Sequence, residues 1–303
     1  MCAALPKGAK FRKDHVITAE DIPELLKLGK ENIFVWENDE TKLHENDAAE
    51  ILKNICMGEN LTASEVKEGK IELSATCDGV FYVDAEKLNA VNDVSEICIA
   101  TLPNKIPVRK NKTVAGMRVI PLVIDKEKML HVQKIAGDTP LLKIAPYKNF
   151  KVGLIVTGSE IFHGRINDTF TPVIESKLKS FGLEISARKI SDDSKEMTKN
   201  FILELLAGGA EMIICTGGMS VDPDDRTPAA IRDSGAEIVT YGVPVLPGAM
   251  FMLAYKNEVP ILGLPGCVMY CSKTIFDIAL PRILTGEKLS RKDFTTLGVG
   301  GLL

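Results

Sequence analysis

The sequence has no surplus of positive charge. Its 37 Lys and Arg stand against 41 Asp and Glu, a net of −4. Chains whose main ligand is duplex nucleic acid usually carry a basic excess, so no nucleic acid partner is expected. A small anion held by backbone groups is easier to reconcile with the total. Long apolar runs are missing as well. The longest, residues 249–255, is far short of the roughly 20 residues that a membrane span requires, and no membrane role is expected. Residues 1–15 mix Lys7, Lys10, Arg12 and Lys13 with no long apolar stretch, unlike a secretory signal. The expectation is a soluble, cytoplasmic protein. The seven cysteines (Cys2, Cys56, Cys77, Cys98, Cys215, Cys267 and Cys271) form no C-x-x-C pair, which argues for reduced thiols and against a disulfide framework or zinc knuckle. Cys267 and Cys271 are spaced for one side of a helix, but none of the four histidines is near them. Neither a P-loop nor a dinucleotide G-x-G-x-x-G is present.

What is present is enough chain for two cores. At 303 residues the length suits two domains of roughly 150 each, and the character changes near residues 145–150. The expected division is 1–148 and 149–303. In the first part, residues 22–28 and 46–57 read as helices. Ile71, Leu73 and Ala75 alternate with polar residues, Asp78-Gly79 is a hairpin-turn dipeptide, and residues 80–83 read as the returning strand. Further strands are expected around Val108 and over residues 113–123. The implied architecture is a smaller, strand-rich α+β domain. His44 reads as a helix-start residue, and Lys105, Arg109, Lys110 and Lys112 as a basic patch on a solvated hairpin.

In the second part strands and helices alternate regularly. Residues 152–156 form a continuous apolar run of the kind buried parallel strands show, residues 212–215 read as another buried strand, and 183–190 and 261–264 as further strands. Thr171-Pro172 supplies an N-cap and a first-turn proline for a helix with Ile174, Leu178 and Phe181 on one face. Asp193 with Glu196 reads as a capping box before a helix with Met197, Phe201 and Leu205 inward. Thr227-Pro228 opens another helix, and the last spans about 269–284. The fold class is therefore α/β, a mainly parallel sheet with helices on both faces.

Ligands of such sheets bind outside the carboxyl ends of the strands, where three glycine-bearing turns fall. The first is Thr157-Gly158-Ser159-Glu160, continued by residues 164–168 with Asn167. The second is Thr216-Gly217-Gly218-Met219-Ser220, and the third Leu264-Pro265-Gly266-Cys267. Glycine lets backbone approach a ligand, and a following helix N-terminus favours an anion. Asp222, Asp224 and Asp225 crowd the second turn. Like charges so close suggest a cation such as Mg²⁺ or a donor-rich guest. Asp192 and Asp193 end another strand at this edge. With Asp193 expected as the helix cap, Asp192 and Asp225 are the candidate acids, for catalysis or for metal.

These strings (Thr-Gly-Ser-Glu-Ile, Gly-Arg-Ile-Asn-Asp, Ser-Asp-Asp, Thr-Gly-Gly-Met-Ser-Val-Asp-Pro-Asp-Asp-Arg-Thr-Pro and Leu-Pro-Gly) resemble the molybdopterin-binding domain family over about residues 150–285. That family holds the molybdopterin adenylyltransferases and molybdenum insertases. The resemblance implies a three-layer α/β/α domain binding molybdopterin, with ATP and Mg²⁺ in the active enzymes. It places Asp192 and Asp225 at acidic positions of the family, Thr157, Gly158 and Glu160 in its first loop, and Gly217, Gly218 and Ser220 in its central turn. It also implies a pterin or nucleotide ligand, a molybdoenzyme partner and a homo-oligomer. Two positions depart from the insertases. Ala249 stands where they usually carry a lysine after the Pro-Gly of Pro247-Gly248, and Cys267-Val268 replaces Asn-Pro after Leu-Pro-Gly. Losing that cation removes a charge-assisted contact of the order of 1–3 kcal/mol. Asp224-Asp225-Arg226-Thr227 is also similar to the nucleotide-processing CinA proteins. The expected activity is cofactor synthesis, transfer or molybdoenzyme maturation by adenylyl or phosphoryl transfer, with a non-catalytic pterin carrier or a CinA-like pyrophosphatase as alternatives.

Overall fold

A computed structural model describes all residues except 1–3, 6–7, 10, 12–14, 34–38, 221 and 223–224. Asp224, Cys2, Lys7, Lys10, Arg12 and Lys13 therefore lie outside the described residues. The chain forms two compact units, Met1–Lys42 and Leu43–Leu303. The first contains the short helix Ile22–Lys27, opened by a proline in its first turn.

The second unit holds separate hydrophobic cores. One draws on residues 48–144, among them Leu52, Ile71, Leu73, Phe81, Met117 and Met129. Most of its strands make two antiparallel sheets. Alternation of burial in Ile71–Ala75 follows the sequence pattern. The hairpin expected at Asp78-Gly79 does not form. Ile71–Ala75 pairs with Leu61–Ala63 and Thr113–Val119, whereas Gly79–Val83 pairs with Leu142–Pro146 and Ile106–Val108. Neither Asp78 nor Gly79 has the positive φ that a type I′ turn needs. Gly79 instead lets a strand come close, since a Cβ there would lie 2.2 Å from the Ala145 carbonyl oxygen. Asp78 is spent on the Lys110 amide and the Arg109 guanidinium, both at 2.7 Å. Residues 109–112 thus link two sheets rather than cap a hairpin, and Arg109 and Lys105 are already paired, the latter with Asp293 at 3.0 Å. His44 is the N-cap of Glu45–Cys56, as its position suggested.

The remaining cores lie on the two faces of a six-stranded sheet: β1 (Val152–Thr157), β2 (Ile185–Ser191), β3 (Met212–Thr216), β4 (Glu237–Tyr241), β5 (Met252–Lys256) and β6 (Val259–Leu264), in the order β2-β1-β3-β6-β5-β4. The first four in that order are parallel, while β5 and β4 are antiparallel. Successive side chains of a strand point to opposite faces. Leu154 and Val156 accordingly join the core under helices α1 (Phe170–Lys179), α4 (Ile275–Leu284) and α5 (Arg291–Thr295). Ile155 joins the core under α2 (Lys195–Ala207) and α3 (Thr227–Asp233). Each fully buried Leu, Ile or Phe contributes about 1.5–3 kcal/mol, which explains why β1, β3, β5 and β6 carry apolar runs without alternation. The three-layer, mainly parallel architecture is the one expected.

Local details differ. α1 begins at Phe170, because Asp168 Oδ1 accepts from the amides of Phe170 and Thr171 at 2.9 and 3.0 Å. α2 is capped by Ser194, whose hydroxyl accepts from the Met197 amide, and not by Asp193. Its buried residues are Thr198, Ile202 and Leu205, so the inward face is turned slightly from the expected Met197, Phe201 and Leu205. The last helix starts at Ile275 behind a Thr274/Asp277 capping box, preceded by the separate 3₁₀ turn Gly266–Met269. Among the described residues no helix is long and apolar enough to cross a membrane.

Candidate functional site

Register decides where the site lies. Thr157 stands opposite Ser191, Val156 opposite Thr216, and Thr216 opposite Leu264. Four parallel strands therefore end level, and the turns that leave them emerge side by side. The chain passes from β1 to β2 on one side and then to β3 on the other, so this edge carries a topological switch point, where open α/β sheets bind ligands. Antiparallel β5 adds its beginning to the same edge, with Met252 opposite Gly263, and brings residues 242–251 alongside.

The turns interlock. Thr157 is buried, and its hydroxyl donates to the Thr216 carbonyl at 3.1 Å and lies 3.3 Å from the Thr227 hydroxyl. Thr227 in turn donates to the Gly217 carbonyl at 2.9 Å. Gly217 (φ +83°) and Gly218 (φ +56°) wrap so closely over these groups that a Cβ on Gly217 would lie 2.4 Å from the Thr157 carbonyl oxygen. The Gly158 amide is held by the Ser191 carbonyl at 3.1 Å, and the Ser159 amide by Asp193 Oδ2 at 2.6 Å.

A cleft of ≈ 410 Å³ opens over the second and third turns, within the size range of small-molecule sites. Gly217, Gly218, Ser220, Asp225, Pro265 and Gly266 line it, as do Ala249 and Cys267. The two departures noted in the sequence thus sit in its wall. Burial, with Cys271 nearby, pushes the Cys267 thiol above its ordinary pKa, so it is neutral at physiological pH. Two amides facing this turn, those of Gly218 and Met219, meet no acceptor among the described residues. The buried Thr216 hydroxyl has no partner either. A buried hydroxyl left without a partner costs about 1–3 kcal/mol.

The first turn borders the cleft without lining it. Glu160 and Asn167 are exposed. The acids fall out differently from the sequence pattern. Asp192 Oδ1 accepts from the Ser194 amide at 3.0 Å and shapes the entry to α2. Asp193, in the left-handed region at φ +68°, turns toward the first loop instead. Burial raises its carboxyl pKa. The Ser159 amide opposes that shift, and the charges of Glu160, Asp225 and Asp192 add to it. Four carboxylates from three loops therefore share one field at this edge. Asp225 Oδ2 accepts from the Ser220 amide at 2.7 Å, closing the second turn. Sequence reasoning passed over two residues here. Asp193 was obscured by an adjacent serine that caps equally well. Tyr241, at the end of antiparallel β4, donates to the Met219 carbonyl at 3.0 Å, and no turn motif marks it.

The stretch carrying all of this, residues 153–285, matches the family model described as "Probable molybdopterin binding domain". Residues 153–285 belong to the molybdopterin-binding domain family. Residues 3–37 match a model described as "Domain of unknown function (DUF8806)". The chain is 28% identical over 127 residues to a molybdopterin molybdenumtransferase of Staphylococcus epidermidis, covering 40% of this chain and 30% of that protein. It is 29% identical over 140 residues to the molybdenum cofactor synthesis protein cinnamon of Drosophila melanogaster, covering 44% and 23%. A CinA-like protein of a Mycobacterium species is 32% identical over 90 residues, covering 29% and 21%. The matched stretch thus spans less than a third of each of these relatives. Among solved structures, the molybdopterin biosynthesis enzyme MoaB of Thermus thermophilus aligns at TM-score 0.36 and 23% identity, covering 46% of this chain and 98% of that one. In this chain, the family's molybdopterin-binding domain comprises the six strands and the cleft at their level ends.

Proposed function

We propose that the chain binds molybdopterin, or a phosphate-bearing pterin close to it, in the cleft over the second and third turns, and acts in molybdenum-cofactor synthesis, transfer or molybdoenzyme maturation. One observation carries this reading: glycine turns from two neighbouring parallel strands, with Asp225, line a single cleft inside the family-matched stretch. The free amides of Gly218 and Met219 suit phosphate oxygens, and Ser220, Pro265 and Gly266 border the same space. Hard carboxylate oxygens suit Mg²⁺; among the described residues no three acids come together as a metal site, so Asp225 with one second acid, Asp193 or Asp192, would hold it together with phosphate oxygens. Its charge would relieve the mutual repulsion that Asp193 registers. Bound there, Mg²⁺ would supply charge neutralisation at a phosphoryl group, while the turns and Asp225 position that group. The binding half is residues 149–303, and residues 1–148 offer a surface for a molybdoenzyme partner or for a second copy.

Calorimetry of the full chain with molybdopterin, and with ATP plus Mg²⁺, is the test, supported by mass spectrometry of any small molecule that copurifies. No heat with molybdopterin would refute the proposal. Binding without turnover of ATP or adenylylated pterin would identify a carrier. Hydrolysis of ADP-ribose with indifference to pterin would support the CinA-like alternative, which the mycobacterial relative favours.

Two substitutions resolve the acids. Asp225→Asn keeps an oxygen for the Ser220 amide, so the thermal midpoint should hold while Mg²⁺-linked activity falls by roughly 10²-fold or more. Asp193→Asn likewise keeps an acceptor for the Ser159 amide. It removes a charge from a crowded field, so the midpoint should stay level or rise while Mg²⁺ affinity drops. If Asp192→Asn has the larger effect on Mg²⁺, the second acid is Asp192.

A further inference from the structure

In the turn over residues 217–220 the carbonyls of Gly217, Gly218 and Met219 are occupied from inside the protein. The Gly217 oxygen accepts from the Thr227 hydroxyl at 2.9 Å and the Gly218 oxygen from the Thr227 amide at 3.2 Å. The Met219 oxygen accepts from the Tyr241 hydroxyl at 3.0 Å, with the Ser220 oxygen 3.4 Å from the same group. Two of these contacts meet on one rigid unit. The Met219 carbonyl and the Ser220 amide belong to the same peptide group, which is planar, so its C=O and N–H point opposite ways. Tyr241 grips one end and Asp225 Oδ2, at 2.7 Å, is held by the other. If the phenol let go, the plane would be held at one end only, and the donor facing the Asp225 carboxylate would be less firmly fixed. Tyr241 can play this part because it ends β4 opposite Met252, where residues 242–251 leave to supply Ala249 and Met250 to the cleft. Its phenol stays protonated far into alkaline pH, since burial and the Asp225 charge both raise its pKa.

We infer that Tyr241 is a positioning residue that fixes the Asp225 carboxylate through the Met219–Ser220 peptide plane, so that the cleft takes a metal-complexed phosphate ester. The inference rests on the proposed reading of the cleft. The probe is inorganic pyrophosphate, titrated by calorimetry into the full chain with and without Mg²⁺, for wild type and Tyr241→Phe. Losing one hydrogen bond that orients the carboxylate should raise the Mg²⁺ concentration for half-maximal pyrophosphate binding by roughly five- to tenfold. Pyrophosphate affinity without Mg²⁺, supplied by the Gly218 and Met219 amides, should not move, and neither should the thermal midpoint by more than a few degrees. An equal loss with and without Mg²⁺ means that the phenol only braces the turn, and overturns the inference. So does a variant indistinguishable from wild type in both titrations. Wild-type protein that binds no pyrophosphate under either condition would remove the anion-site reading itself, an outcome separable from the other two.

Discussion

Gly217→Ala is expected to destabilise the fold by about 3 kcal/mol or more and to abolish ligand binding. The backbone at Gly217 has φ +83°, which costs an L-residue roughly 1–2 kcal/mol before any contact is counted. The added methyl would then lie 2.4 Å from the Thr157 carbonyl oxygen and 2.8 Å from its hydroxyl. Neither can retreat. Thr157 ends the buried strand β1 and is tied to Thr216 and Thr227, so relief means parting β1 from β3. Gly164→Ala is the matched control. Its φ of +67° is similar, but a Cβ there meets nothing within 4 Å, and only the backbone cost of about 1 kcal/mol remains. Urea unfolding of both variants separates conformational strain from collision. Equal midpoints would mean that the turn yields, and the close packing of the first and second turns would lose its significance.

That packing also explains which parts of the molecule the sequence discloses. A strand covered on both faces has no polar side, so β1, β3 and β6 announce themselves as apolar runs, and their positions locate the glycine turns. All of β5 but Lys256 lies inside the apolar run at 249–255, yet a run of that length has no periodicity to separate strand from helix. It went unread, and with it the antiparallel edge that brings Tyr241, Ala249 and Met250 to the cleft. Asp192, Asp193 and Ser194 are three successive residues of N-cap type. The choice among them is made by the Ser159 amide, which lies 34 positions away and draws Asp193 into the left-handed region. Local propensity contains no trace of such a partner. The Asp78-Gly79 hairpin failed for the same reason. Its local signal was sound, but the strand at Leu142–Pro146 claimed Gly79. Long-range contacts, in short, overrode turn chemistry wherever two local solutions were close in energy.

Arg282→Met should cost about 3–5 kcal/mol, because it strips the cation from a buried polar network while leaving its carboxylates behind. The Arg282 side chain is only 6% exposed. It donates to Glu287 at 2.9 and 2.6 Å and to Asp293 at 2.5 Å. Tyr82 adds a donor to Glu287 at 2.6 Å and Lys105 one to Asp293 at 3.0 Å. Those last two residues come from the strand-rich part of the chain, so the network ties that part to the end of α4 and the start of α5. Burial works against all three charges. The hydrogen bonds and ion pairs win, keeping Arg282 protonated and holding the carboxyl groups of Glu287 and Asp293 below the usual range. Both acids therefore bind fewer protons folded than unfolded. Their contribution is complete above the unfolded carboxylate values of about 4 and is lost progressively as pH falls from there through the depressed native values. Wild type should accordingly lose stability steeply below about pH 4. In Arg282→Met the two acids keep only the half-exposed Lys105 as a cation, so their native pKa values rise and the acid slope flattens. Thermal midpoints measured from pH 7 down to about pH 2.5 would show two curves converging toward acid. Parallel curves would mean that the guanidinium stabilises through packing of its stem alone.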